Sequence, residues 1–385
     1  MTKLSEIDSN QVEQLLKRIE QIEAKLGIKV DSGVAESRQE AQHFCAMPKV
    51  APRTLDASVS PDRARLIAFI GKKWVNGTKL RYYFFESGPN SGPNEQKEFV
   101  RQGFEVWKKV GIGIKFEEVR NIGEAEIRIG FVQDDGAWSY LGRDVISIPK
   151  QGERTMNFGW DLRQDPRGVD VAVHEIGHTL GFPHEHQNPF AGMVWDEEAV
   201  YKYFGAAPNN WDRDTTFYNV LQKLALGEVE GSKWDPNSIM HYAFAAGLIQ
   251  KPVEYQKGLK PAGGLSEQDL SQVRLFYPPL DDSKYTELKP FRSEILSLAP
   301  AEQKNFAINP DATRSYTIAT FGKADTVMVL FEDQSGDLKY VDGDDDSGTD
   351  LNSQITVRLY QGRRYVLRIR LYSNFSAADA SVMLS

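Results

Sequence analysis

The sequence predicts an α+β domain with a mixed, twisted sheet and several helices, followed by a small all-β sandwich. Up to about residue 280, helix-periodic apolar positions alternate with separate strand-like runs. After Pro278-Pro279 the apolar residues alternate with period two, and turn-rich stretches separate the runs. We therefore expect three segments, residues 1–60, 61–282 and 293–385.

The first segment, residues 1–60, is expected to hold a short amphipathic helix and then a pro-segment or connector. Residues 9–27 place apolar side chains at a heptad-like spacing. A helix of this length is marginal as a free coiled coil. Self-association and docking on the rest of the chain are therefore equal alternatives, and the oligomeric state stays open. The spaced apolar residues are Val12, Leu15, Ile19, Ile22 and Leu26.

Residues 61–282 are predicted to form the α+β domain. Residues 80–85 make an apolar strand, residues 94–110 fit a helix, and residues 124–131 alternate as a second strand. The residues expected on the apolar face of the helix are Phe99, Phe104, Trp107 and Val110.

A further helix is predicted to begin near Asp165 and Pro166 and to end at Gly181. Asp165 can cap its first turn, and proline is tolerated there. Glycine accepts the left-handed conformation that ends many helices. The apolar stripe of this helix consists of Val169, Val173, Ile176 and Leu180.

This helix is expected to carry side chains of a catalytic zinc site. His174 and His178 are four residues apart, so a helix places both rings on one face. The turn at Gly181 can bring His184 back as a third ligand. Three protein ligands leave one tetrahedral position open to water, which is typical of catalytic rather than structural zinc. Glu175 adjoins the first histidine and can serve as general base and acid.

The run His174-Glu175-x-x-His178-x-x-Gly181-x-x-His184 resembles the signature of metzincin metalloproteases. Metzincins also carry a methionine turn downstream. Here Ser238-Ile239-Met240-His241-Tyr242 resembles the Met-turn of the astacin family within the metzincins. The resemblance implies a zinc-dependent endopeptidase with one catalytic zinc ion that acts on protein or peptide substrates.

The astacin resemblance also implies roles for single residues. Tyr242 is expected to lie near zinc and to stabilise the developing oxyanion, with a packed core tyrosine as the alternative. Met240 is expected to form an apolar floor beneath the site without touching zinc. His241 is not expected to be a ligand. Glu185, which follows the third histidine as in astacins, is expected to be structural.

The resemblance extends over roughly residues 70–280. That region contains no cysteine, whereas animal astacins have disulfides there, so the chain looks like a bacterial-type member. In metzincins a strand borders the cleft and pairs with extended substrate. Residues 124–131 are the candidate, although the sequence does not identify the edge strand. Trp138-Ser139-Tyr140 is expected to pack as a loop rather than to line the cleft.

Cys45 is the only cysteine, so it can form no intrachain disulfide. It lies in His43-Phe44-Cys45-Ala46-Met47-Pro48, upstream of the α+β domain. A thiolate is a strong zinc ligand, and matrixins use a pro-segment cysteine to keep the enzyme latent as a zymogen. We expect Cys45 to act as such a cysteine switch, a ligand in the latent form only; the alternative is an incidental free thiol. His43 is a weaker ligand candidate.

The last segment, residues 293–385, is predicted to form the β-sandwich. It resembles the pre-peptidase C-terminal domain of secreted bacterial peptidases. The acidic residues 342–350 offer carboxylates to Ca²⁺, but a solvated acidic turn is favoured. The predicted strands are residues 316–320, 327–331, 355–359 and 365–371.

Charge and hydropathy limit the other function classes. The formal net charge of −8 and the lack of a basic stripe argue against nucleic-acid binding. No run approaches the ~20 apolar residues of a membrane span. The amino terminus lacks the layout of a secretory signal. We expect a secreted or extracellular protein exported by another route, with a cytoplasmic location as the alternative.

The favoured function is hydrolysis of peptide bonds in proteins, with Glu175 and Tyr242 as the catalytic side chains. A non-catalytic zinc-containing binding or adhesion protein that uses the sandwich is the alternative. Hydrolysis of a small-molecule amide is a third interpretation.

Overall fold

The structure, a computed structural model, describes most of the chain from residue 42 onward. Residues 43–385 form one compact unit. The predicted helix at residues 9–27 lies outside the described residues, as do residues 51–60 of the proposed connector and residues 346 and 350 of the acidic stretch. The described ranges are 42–50, 72–74, 76–147, 149–224, 233–280, 285–299, 302–345, 347–349, 351–372 and 377–385.

Five short strands form the first sheet, namely β1 (Lys79–Phe84), β2 (Lys115–Glu118), β3 (Ile127–Gly130), β4 (Trp138–Ser139) and β5 (Met156–Asn157). Their order is β2-β1-β3-β5-β4. The first four in that order pair in parallel, and β4 pairs antiparallel with β5 at the edge. The sheet is therefore mixed, with β2 at one edge and β4 at the other.

The strand predicted at residues 124–131 is shorter than expected and lies inside the sheet. All four residues of β3 are buried, as is usual for a parallel strand covered on both faces. The Arg128 guanidinium is also buried. Its burial is tolerated because the guanidinium donates to backbone carbonyls, including that of Glu153 at 2.7 Å. Residues 122–124 form a 3₁₀ turn instead. The prediction that residues 124–131 form an edge that borders the cleft is therefore wrong. Trp138–Ser139, predicted as loop, is an edge strand instead.

Six helices are described: α1 (Asn94–Lys109), α2 (Asp144–Ser147), α3 (Gly168–Thr179), α4 (Glu197–Gly205), α5 (Arg213–Thr216) and α6 (Glu267–Phe276). α1 matches the predicted helix and packs on α3, where the Trp107 indole donates to the carbonyl of Val173 at 3.0 Å. The apolar core of the domain lies between these two helices and the sheet. In the described part of the chain, every helix falls short of what a membrane crossing requires in length and apolar character.

α3 begins later than predicted and ends as predicted. Asp165 and Pro166 lie in a turn before the helix, where the Asp165 carboxylate accepts from the Arg167 N–H at 2.8 Å. Asp165 therefore does not cap α3. At the other end Gly181 has φ +93°, a conformation that favours glycine. Phe182 N–H then donates to Gly177 O at 3.0 Å, which closes a Schellman motif.

Shorter elements connect α3 to α6. Two strands, β6 (Val194–Trp195) and β7 (Ile249–Lys251), pair antiparallel. Together with α4 they contribute to a second apolar cluster that includes Phe204, Tyr242 and Phe244. The remaining turns are the 3₁₀ helices Glu185–Gln187, Pro189–Ala191 and Val253–Tyr255 and the π-helix Phe217–Leu221.

The carboxy-terminal region is a two-sheet β-sandwich, as predicted. Its strands are β8 (Thr286–Glu287), β9 (Ser293–Leu298), β10 (Gln303–Ile308), β11 (Arg314–Gly322), β12 (Thr326–Gln334), β13 (Asp337–Asp344), β14 (Gln354–Leu359), β15 (Arg364–Leu371) and β16 (Ala378–Leu384). One sheet has the order β13-β12-β15-β10-β8 and the other β14-β11-β16-β9. The sandwich begins before residue 293, its predicted first residue, since β8 pairs in parallel with β10 and so belongs to it.

The sandwich contacts the α+β domain through a buried arginine. Arg368 of β15 donates to the carbonyl of Asn76 at 2.9 Å. The guanidinium lies against Gly77, where a β-carbon would come within 1.8 Å of Nη1. Lys79 and Asp337 add an ion pair at 2.7 Å on the surface. The loop before β1 is thus shaped to receive a side chain of the sandwich.

Candidate metal and active site

Four side chains from two distant parts of the chain converge beside α3. Cys45, His174, His178 and His184 each offer a ligand atom, and these atoms all lie within 4.8 Å of one another. Among the described residues this is the only group of three or more His, Cys, Asp or Glu side chains with a metal-binding arrangement. The helical spacing brings two of the histidines together, and the turn at Gly181 returns the third.

Backbone carbonyls orient the two helical imidazoles. His174 Nδ1 lies 2.8 Å from the carbonyl oxygen of Ile239, and His178 Nδ1 lies 2.7 Å from that of Phe182. A carbonyl only accepts, so each Nδ1 carries the proton and each Nε2 keeps its lone pair. Both Nε2 atoms are therefore prepared to bind a cation.

The inward nitrogens fit a metal better than they fit each other. His178 Nε2 and His184 Nε2 are 3.1 Å apart, close to the ~3.3 Å between two nitrogens on a tetrahedral zinc ion. His174 Nε2 is buried and has no hydrogen-bond partner in the described part of the structure. Unpaired buried acceptors are costly, and a shared cation would satisfy them together.

Burial keeps the three rings neutral. Desolvation lowers the pKa of His174 to about 4, and it lowers the pKa of His178 and of His184 well below 6.5. Neighbouring imidazoles lower both pKa values further, His174 that of His178 and His178 that of His184, because two imidazolium charges repel. Neutral imidazole is the form that binds metal ions.

Glu175 and Cys45 face each other at the centre of the site. Cys45 Sγ donates to Glu175 Oε2 at 3.5 Å, and Glu175 Oε1 has no hydrogen-bond partner within the described residues. Desolvation raises the pKa of Glu175 to about 8. Burial, and secondly the Glu175 charge, raise the pKa of the Cys45 thiol well above 9.0. Without a cation, the thiol therefore stays protonated.

The segment around Cys45 lies along the edge of the first sheet. Cys45 forms a parallel bridge with Ala137, immediately before β4, and Ala46 N–H donates to Ala137 O at 2.9 Å. The Tyr242 hydroxyl donates to the Cys45 carbonyl. Asn209 Oδ1 accepts from Phe44 N–H at 3.1 Å. Sequence reasoning missed Ala137 and Asn209, since backbone pairing and a loop amide carry no motif.

The Met-turn lies directly beneath α3. A β-carbon on Gly177 would be only 2.4 Å from the Met240 sulfur, so the glycine allows the methionine to approach the helix. Asp269 anchors the turn by accepting from Ile239 N–H at 2.8 Å and from the Ser238 hydroxyl at 2.7 Å. The anchor was missed, although the capping pair of Ser266 and Asp269 was a visible signal for the start of α6.

Other candidate residues lie outside the four-residue group. His43 stacks on Trp160 at 4.6 Å between ring centroids. His241 donates from Nδ1 to Tyr242 O at 2.7 Å. Glu185 accepts from the Asp235 N–H at 3.0 Å.

The acidic stretch near the end of the chain differs from the predicted turn. Asp342–Asp344 belong to β13. The Asp344 carboxylate accepts from the Ser347 and Gln354 N–H groups at 3.0 and 2.7 Å. A Ca²⁺ site at residues 342–350 stays an untested prediction, as does the pre-peptidase resemblance of the sandwich.

Known proteins are similar to the part of the chain that holds the histidine cluster. Residues 73–196 match the peptidase family described as Matrixin. Mouse (Mus musculus) Tolloid-like protein 1 is 33% identical over 199 residues, which are 47% of this chain and 17% of that protein. Karilysin from Tannerella forsythia is 27% identical over 159 residues, 37% of this chain and 32% of that protein. The chain thus spans under a third of the length of these curated relatives.

A solved structure of myroilysin is also similar. It shares 31% sequence identity and a TM-score of 0.48, over 54% of this chain and 96% of that one.

Proposed function

This chain contains a domain of the metzincin-type zinc metalloproteases, and on that premise we propose that it is an endopeptidase that cleaves protein substrates. One observation carries the proposal: three buried, neutral imidazoles converge next to the carboxylate of Glu175. The domain is of astacin-like type, since Ser238–Tyr242 resembles the astacin Met-turn. We propose 61–282 as its boundaries.

His174, His178 and His184 would hold the zinc ion, because imidazole nitrogens are among its usual ligands. When bound, zinc supplies Lewis acidity that polarises the scissile carbonyl and acidifies water. The backbone carbonyls of Ile239 and Phe182 keep two of the rings in the tautomer that binds the ion.

Glu175 would transfer the proton, and Tyr242 would stabilise the negative charge that develops on the substrate oxygen. Glu175 removes a proton from the attacking water and later delivers it to the leaving amine. Its burial excludes bulk water that would compete for the proton. The Tyr242 hydroxyl donates a hydrogen bond to the oxygen of the scissile carbonyl, where negative charge develops. That hydroxyl already donates to a peptide carbonyl, the one of Cys45.

Cys45 would keep the enzyme latent. Its sulfur lies among the three imidazoles and beside Glu175, so it takes the place that the attacking water needs. A cation in the cluster would attract the negative thiolate and so lower the thiol pKa that burial raises. Activation then requires that the segment around Cys45 leave the cleft. We further propose an extracellular location, in line with the protein substrates.

The test is full-length protein carrying Cys45→Ala, compared with the same protein carrying Glu175→Gln as well. We expect chelator-sensitive cleavage of casein that zinc restores in the first protein. The second should lose at least about 10³-fold in kcat while its zinc content stays at one ion per chain. Zinc without cleavage in the first protein would instead support the non-catalytic binding protein. Cleavage that survives Glu175→Gln would exclude Glu175 as the base.

A further inference from the structure

The end of α3 is held by two side chains from distant parts of the chain. The last carbonyls of an α-helix have no partner within the helix, so they are satisfied from outside it. The Trp74 indole donates to the carbonyl of Thr179 at 2.7 Å, and the Tyr277 hydroxyl donates to that of Leu180 at 2.6 Å. Both donating residues are buried. The helix that carries two of the candidate ligands therefore ends on two fixed donors.

These donors act on the turn that returns His184 to the helix. Leu180 is followed directly by Gly181, whose N–H donates to the His178 carbonyl at 2.8 Å. The carbonyl of Phe182, in the same turn, lies 2.7 Å from His178 Nδ1. A shift of the turn would therefore move the hydrogen-bond partner of one candidate ligand and the backbone that leads to another.

Trp74 and Tyr277 also contact each other. The Trp74 N–H donates to the Tyr277 hydroxyl at 3.3 Å, so this hydroxyl receives one hydrogen bond and gives one. Asn76 joins the same two segments, because its Nδ2 donates to the Pro278 carbonyl at 2.8 Å. We call Trp74, Asn76 and residues 276–278 the support of the turn, since hydrogen bonds connect them to each other and to the end of α3.

The β-sandwich holds this support through one strand. Arg368 of β15 donates to the Asn76 carbonyl at 2.9 Å, and Arg370 of the same strand donates to the Phe276 carbonyl at 3.3 Å. Arg368 and Asn76 are both buried, each with 2% of its surface exposed. A buried carbonyl that loses its donor is costly, so this contact resists separation of the sandwich from the support.

We propose that Trp74, Tyr277 and Arg368 are positioning residues for the proposed metal site, and that the β-sandwich thereby raises the affinity of the site for zinc. The three side chains act through the backbone of the turn. A ligand that is already oriented binds a metal ion more tightly than one that must first be ordered. The inference rests on the proposed role of the three histidines as the zinc ligands.

Zinc affinity and amide hydrogen exchange test the proposal without requiring proteolysis. All variants are made in the full-length Cys45→Ala protein, so that the three histidines alone hold the ion. Tyr277→Phe keeps the ring and removes the hydroxyl donor. We expect its zinc dissociation constant, measured by competition with a chelator, to rise about tenfold. Amide exchange between residues 180 and 184 of the metal-free protein should accelerate at least about fivefold.

A second buried tyrosine supplies the matched control. Tyr316 lies in the sandwich, and its hydroxyl donates to the Ala312 carbonyl at 3.0 Å, outside the support. Tyr316→Phe should therefore lower the melting temperature but change the zinc dissociation constant less than about twofold. Trp74→Phe removes the other donor to α3 and repeats the Tyr277→Phe measurement. The melting temperature of each variant verifies that it is folded.

The contact with the sandwich is tested separately. Arg368→Met should weaken zinc binding about threefold. Arg358→Met is the control, because this exposed arginine lies on β14 in the other sheet, and we expect less than about a twofold change. If Arg368 acts through Tyr277, Arg368→Met should weaken zinc binding less in the Tyr277→Phe protein than in the protein with Tyr277 intact.

The possible outcomes separate the positioning role from the proposed function. Unchanged zinc affinity and exchange in Tyr277→Phe and Trp74→Phe would overturn the positioning role and leave the peptidase in place. No effect of Arg368→Met, or effects that simply add, would remove the sandwich from it. The expected shifts in a zinc-loaded protein that cleaves no casein would support positioning although the proposed function fails. If the starting protein binds no zinc, both fail.

Discussion

The Cys45 sulfur lies 3.5 Å from a carboxylate oxygen of Glu175, although the two residues are 130 positions apart in the chain. The same sulfur is within 4.8 Å of a nitrogen of each of three histidines. A thiol in this place separates the proposed general base from any water near the histidines. One side chain thus occupies the space between the three imidazoles and Glu175.

Replacing Cys45 with alanine should activate the full-length protein. Cys45→Ala removes the contact that would hold the segment on the metal, so the segment leaves the cleft more readily, and we expect at least about a tenfold rise in casein cleavage with unchanged zinc content. Activity is measured at equal zinc loading. The Cys45→Ala protein with Glu175→Gln is the matched control and should be inactive. If the Cys45→Ala protein is as inactive as the unchanged chain, although zinc is bound, latency does not depend on the thiol.

Removing the Tyr242 hydroxyl should slow catalysis without weakening substrate binding. Tyr242 is buried, with 4% of its surface exposed, and its ring packs on His184 and Phe44, so Tyr242→Phe keeps the packing. In the Cys45→Ala background we expect kcat to fall about 10²-fold and KM to change less than about threefold. Steady-state kinetics on one peptide separate the two constants. A KM effect with unchanged kcat would mean that Tyr242 binds substrate and does not stabilise the transition state.

Metal removal should destabilise the fold as well as stop catalysis. Three neutral imidazoles lie close together, and the stability that zinc adds depends on its concentration relative to its dissociation constant. Zinc at about a thousand times its dissociation constant adds about 4 kcal/mol, so a strong chelator should lower the melting temperature by about 10 °C. Scanning calorimetry with and without chelator, and after zinc is added back, makes the comparison. An unchanged melting temperature in chelator-treated protein that has lost its zinc would contradict the prediction.

Adding one methyl group to α3 should disturb the Met-turn. By helix propensity alone, Gly177→Ala would stabilise the protein by about 1 kcal/mol. The new carbon would lie 2.4 Å from the Met240 sulfur, and such overpacking costs about 1–3 kcal/mol. We expect a net loss of about 1 kcal/mol and weaker zinc binding, because Gly177 precedes His178.

Two controls accompany that measurement. Gly152→Ala introduces its methyl group where no atom lies within 4 Å, so it should change stability by less than about 0.5 kcal/mol. Met240→Ala in the Gly177→Ala protein should recover part of the loss. Urea unfolding of the unchanged chain, the Gly177→Ala and Met240→Ala single variants and the double variant would show this as a coupling energy. If the effects of Gly177→Ala and Met240→Ala simply add, the new methyl group does not clash with the Met240 sulfur.

Sequence patterns predicted those elements whose structure depends on interactions between neighbouring residues. The helix over α1, the Schellman turn at Gly181 and the alternation that predicts the sandwich all depend on residues within a few positions of each other. The start of α3 was mispredicted at Asp165 because a capping residue and a turn residue have the same sequence signal. The actual start at Gly168 depends on how the preceding turn packs.

The sequence by itself determined which three histidines converge, since His174 and His178 share one helix face and the turn at Gly181 returns His184 to them. Only the tertiary structure decided which strands form the edges of the first sheet and which segment lies along one of them. Strand order depends on backbone pairing, which every residue type can make, so β4 and Ala137 carry no signature. The meeting of Cys45 with Glu175, and of Phe44 with Trp211, likewise depends on long-range packing that no local pattern encodes.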